Sequence, residues 1–148
     1  MEQLIFDSGI KEYQINGKGV LRFNPSDPNV YARFMDLLPK IQDIEKETNE
    51  KAASVNNASA NAGEETLRIM KEMDTRIKAV LNDVFGKEND FDQILEGVNL
   101  MAVASNGQRV IVNLMDALQP IMEAGVKKCV KSEVDTAKLN RQQRRAMQ

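Results

Sequence analysis

The apolar residues of this chain change their spacing at residues 24–28, and that change limits the folds open to it. Before it, IKEYQI (10–15) and VLRF (20–23) alternate apolar with polar and flank NGKG (16–19). Asn16 and Gly17 both accept positive φ, so this pair favours a tight hairpin. Tyr13 and Ile15 fall on one face, with Leu21 and Phe23 across the turn. Lys11, Gln14 and Arg22 face water. Leu4-Ile5-Phe6 is a candidate third strand. A lone hairpin is marginal in water, so it must pack on a helix.

After residue 28 the spacing is helical. Ser26 or Asp27 caps a first helix, and Pro28 suits its first turn, where a missing N–H costs nothing. Val30, Phe34, Leu37, Leu38, Ile41 and Ile44 set its apolar face, and Pro39 should kink or break it. Beyond Ile44 the charged stretch reads as a projecting, solvated helix end. SVNNASANAG (54–63) reads as a flexible linker or the frayed tip of a helical hairpin. Glu64 and Glu65 open a second helix at the positive end of its dipole, and Gly86 closes it. Phe91, Ile94, Leu95, Val98 and Met101 suggest a third, Ser105-Asn106-Gly107 a turn, and Val110 to Met122 a fourth with a kink at Pro120. The expected architecture is α+β, mainly α, an irregular bundle in one domain over residues 1–135. It comprises a hairpin at 10–23 and helices near 27–53, 64–85, 91–104 and 108–131, then a basic tail at 136–148, disordered or folding as a short helix on a partner.

The residue inventory argues against chemistry. Histidine is absent, which removes the commonest general base and metal ligand. The single cysteine, Cys129, excludes an internal disulfide and a cysteine zinc site. Gly17-Lys18-Gly19 lacks phosphate-loop spacing. The carboxylates Asp83, Glu88, Asp90 and Asp92 do not meet the register of a calcium loop. No catalytic residue, metal or cofactor is expected. The N-terminus lacks a basic region followed by an apolar stretch, and no apolar run is long enough to span a membrane, so the expected location is the cytoplasm.

Binding is the remaining class. The net charge is −2, but residues 127–148 carry seven Lys and Arg against Glu133 and Asp135, a local +5 that leaves −7 for the rest. Lys138, Arg141, Arg144 and Arg145 form a cationic stripe if the tail is helical. It suits an acidic protein surface better than nucleic acid, since the tail has no aromatic residue. Eight Met are many for 148 residues. Met70, Met73, Met115 and Met122 are candidates for an adaptable apolar binding surface, set against their service as core filler.

The run INGKGVLRFNPSDPNVYARFMDLL (15–38) and the closing LNRQQRRA (139–146) resemble tail assembly chaperones of long-tailed bacteriophages and prophages. The likeness is clearest over residues 10–45 and 138–146. It implies a non-catalytic protein of the host bacterial cytoplasm that keeps the tape-measure protein soluble and recruits tail-tube subunits around it. Homo-oligomers are compatible with it. Two other readings fit the residues: a small inhibitor of host defence, like anti-CRISPR proteins, whose acidic body mimics a phosphate backbone; and a scaffolding or virion structural protein with a gripping basic end.

Overall fold

In the computed structural model, residues 1–55, 58 and 60–146 are described, with Arg144 by its backbone alone. The fold is α+β and mainly α: an N-terminal antiparallel hairpin followed by helices. Strands β1 (Lys11–Ile15) and β2 (Gly19–Phe23) pair Tyr13 with Leu21 and Ile15 with Gly19. The loop between them turns at Asn16 and Gly17, with φ of 51° and 80°, and the Lys18 amide donates to the Ile15 carbonyl. Leu21 and Phe23 are buried, and Tyr13 and Ile15 pack beside them. Leu4-Ile5-Phe6 adds no third strand; residues 1–10 form an exposed arm. Its root is fixed where Asn24 Nδ2 donates to the Ser8 carbonyl at 3.0 Å.

Helix α1 (Pro28–Met35) is capped by Asp27, whose carboxylate accepts from the Asn29 amide at 2.9 Å. The single helix expected over 27–53 is two, because α2 (Leu37–Ala53) starts afresh after Asp36. Pro39 is the third residue of α2. In an unbroken helix its ring would strike the Met35 carbonyl, so the break falls one turn earlier. The charged end of α2 does not project freely. It lies against α3 (Ala62–Phe85), with Thr48 buried and the pairs Arg76–Glu47 and Lys51–Glu72 crossing at 2.8 and 2.9 Å. The linker expected over 54–63 ends at α3, which already includes Ala62; its residues 56, 57 and 59 lie outside the described residues.

The helix expected over 91–104 is only a four-residue turn, α4 (Phe91–Ile94). Glu96 and Gly97 then take left-handed φ of 55° and 75°, which no helix can contain. From there the chain is held by side chains from outside the segment. Asp74 of α3 accepts from the Leu100 amide at 2.8 Å, and Arg109 donates to the Met101 carbonyl at 2.6 Å. Asn89, buried, accepts from the Arg22 amide and donates to the Arg22 and Phe85 carbonyls. Its side-chain amide thus serves as a strand neighbour to the outer edge of β2.

Helix α5 (Val110–Ala146) runs through Pro120 and on through the tail, which is helical as far as Ala146. Its first half completes the core with Ile111, Leu114, Leu118 and Met122. The same core holds Leu81, Phe85 and Phe91, with Phe23 edge-on to Phe85 at 4.9 Å between ring centres. Gly125 is where α5 meets the strand exit; a Cβ there would collide with the Pro25 carbonyl.

Candidate partner-binding surfaces

The methionines divide. Met73 and Met122 belong to the buried core, Met122 with no exposure at all, so neither offers a binding surface. This corrects the expectation for both. Each sits on the face its helix turns inward, and a flexible side chain there fills an interior gap. Met70 and Met115 are half-buried at the core margin and present only part of themselves to solvent.

The basic residues keep their candidacy. Lys138, Arg141 and Arg145 are exposed on α5; the Arg144 side chain lies outside the described residues. Continuing the helix also brings Lys127 and Lys131 onto the same side. Positions 127, 131, 134, 138, 141 and 145 follow one another at steps of four and three. At about 100° per residue they stay within a strip roughly 80° wide and about 27 Å long. Val134 is the one member without charge. Among the described residues, no ion pair engages any of the five cations.

Sequence reasoning missed the apolar residues beside them. Val130 and Val134 are 57% and 48% exposed, and Val126 is half-buried. The signal was present: 126, 130, 134 and 137 recur at four- and three-residue steps. The N-terminal arm is barer still, with Leu4, Ile5 and Phe6 at 88%, 85% and 75% exposure. Arm and helix leave the body at one corner. Asn24 holds Ser8, and the adjoining Pro25 lies against Gly125, just before the bare part of α5.

One cluster has the look of chemistry. Lys78, buried on α3, reaches Asp74 at 2.9 Å and Asp92 at 2.7 Å. Burial alone disfavours its charge, but the hydrogen bonds it donates to the two carboxylates outweigh that and raise its pKa above the ordinary lysine value. The two carboxylates favour the protonated amine, which has no lone pair to attack with. Its place is structural: it clamps the 90–100 segment onto α3, with Asn82 accepting from the Phe91 amide alongside. Among the described residues no group of His, Cys, Asp or Glu is arranged to hold a metal, and no helix is long and apolar enough to cross a membrane. Comparison with protein families, curated proteins and solved structures finds no match to this chain.

Proposed function

We propose that this chain is a non-catalytic binding protein of the tail assembly chaperone type, holding tape-measure and tail-tube proteins in the host cytoplasm before assembly. One observation carries the reading: residues 127–146 extend from the core as a largely exposed helix with bare valines and with cations that, among the described residues, join no ion pair. A helical segment of this length draws little stability from itself, and in folded proteins packing of an apolar face supplies it. A partner is the natural source of that packing. The exposed Leu4–Phe6 arm supports the same reading, because a holdase needs apolar surface available to its client.

The inhibitor reading draws less support. Six carboxylates of the acidic body are answered locally: Glu12 by Arg22, Glu47 by Arg76, Glu72 by Lys51, Glu96 by Lys18, and Asp74 and Asp92 by Lys78, which breaks up its negative face. Phosphate mimicry needs an array of carboxylates left open.

The test is co-expression with the tape-measure protein and tail-tube subunit of a long-tailed phage. The expected result is that the tape-measure protein stays in the soluble fraction and co-purifies. If it aggregates equally with and without this chain, and the tube subunit is not retained, the chaperone reading falls.

A further inference from the structure

Resting on the binding role above, we infer that the exposed half of α5 docks a helical protein segment whose apolar stripe is edged with Asp and Glu.

Two strips lie side by side on this helix. Val126, Val130, Val134 and Ala137 form an apolar strip, with Val130 and Val134 substantially exposed. Lys127, Lys131, Lys138, Arg141 and Arg145 form a cationic rail that overlaps its edge, with Val134 common to both. An apolar strip at i, i+4, i+8 and i+11 is how one helix seats on another or in a groove. The rail beside it sets the charge of the occupant's border.

Charge complementarity then selects among occupants. A second copy pairing antiparallel on the same face would bring two rails of five cations together, where like charges repel; pairing parallel, each rail would meet the far edge of the strip, where Glu133 is the one acid. Nucleic acid would satisfy the rail but has nothing to cover the valines, and the helix offers no aromatic side chain for stacking. An acidic-edged apolar helix answers both strips at once. Long lysine and arginine stems add to the contact, since their methylenes lie along apolar surface while the charge reaches outward. The acidic body does not spoil this attraction. The rail runs outward over about 27 Å, whereas exposed charges are screened beyond about 8 Å at physiological salt.

The experiment uses the full-length protein and four probes: a synthetic amphipathic helix with a Leu stripe flanked by Glu, poly-glutamate of equal charge, duplex DNA, and vesicles with anionic headgroups. The Leu/Glu helix is expected to bind, and Val130→Gln with Val134→Gln, or Lys131→Gln with Lys138→Gln and Arg141→Gln, to weaken it about tenfold each. All five positions are exposed, so circular dichroism of the variants should match the parent. The inference is overturned if the valine changes leave binding intact, if poly-glutamate or DNA binds as tightly as the helix, or if vesicles bind and the peptide does not. The same variants in the co-expression assay separate the two claims. Loss of solubilisation by the parent chain itself removes the chaperone reading. Parent-level solubilisation by the valine and lysine variants removes the docking face alone.

Discussion

Residues 110–126 and 127–146 share one helix and differ in everything they touch. The first half turns Ile111, Leu114, Leu118 and Met122 into the core and brings Gly125 against the Pro25 carbonyl. Of the second half, only Cys129, half-buried near its start, continues the inward face among the described residues, because the body ends soon after Gly125 passes Pro25. The apolar residues drift with it: the inward face of the first half gives way to Val126, Val130 and Val134 on another side of the helix. The first half therefore shows what holds the fold, and the second what the fold leaves for a partner. The anchored half removes the cost of nucleation for the outer one, whose further stability must come from packing that the body does not supply.

The largest effects should come from the anchored half. Leu118→Ala or Met122→Ala removes a fully enclosed side chain and should cost about 2–5 kcal/mol, read as a lowered denaturation midpoint with unchanged slope. Gly125→Ala sets a methyl against backbone that cannot move aside. It should cost about 3 kcal/mol despite the better helix propensity of alanine. A neutral result at Gly125 would mean that α5 does not cross the strand exit as described.

The hairpin, α3 and the start of α1 were legible in the sequence because local chemistry decides them: Asn16-Gly17 for the turn, Asp27-Pro28 for the cap, Gly86 for the stop. The 91–104 segment was not. Phe91, Ile94, Leu95 and Met101 have helical spacing, yet what holds them is Asp74 bonding the Leu100 amide and Asn89 bonding β2, contacts between residues far apart in sequence. The methionines were unreadable for a related reason. Spacing places Met70 and Met73 on one helix, but only the packing of α3 decides that Met73 is enclosed and Met70 is marginal. The stripe at Lys138, Arg141 and Arg145 was legible as a pattern; its extension to Lys127 and Lys131 needed the helix to be continuous.

The clamp at Lys78 gives an intermediate effect. Lys78→Met leaves Asp74 without its counter-ion at a site closed to water, though Asp74 keeps its bond from Leu100. Asp92 is largely exposed and loses less, so the expected cost is about 1–3 kcal/mol. The pH dependence has a definite sign. The folded-state pKa of Lys78 is raised above 10.5, so its contribution is full below that value and fades as pH climbs through the folded pKa. Alkaline melting should therefore lower the parent's midpoint more than that of Lys78→Met. Parallel decline of the two would show that the clamp contributes nothing.

The smallest expected effect is the most informative about the two halves. Ending the chain after Val130 removes the outer rail and leaves every core contact of α5 in place. Unfolding free energy should change by no more than about 0.5 kcal/mol, as for surface changes generally. Far-ultraviolet helicity should fall, and amide exchange over 131–146 in the full chain should be far faster than over 110–126. A drop of more than about 4 °C in Tm on truncation would contradict this, because it would require the outer half to pack against the body. Binding of the Leu/Glu helix should nonetheless vanish in the truncated chain, since Val134, Lys138, Arg141 and Arg145 go with it. Stability retained and binding lost, in one variant, is the outcome that distinguishes a segment kept for a partner from one kept for the fold.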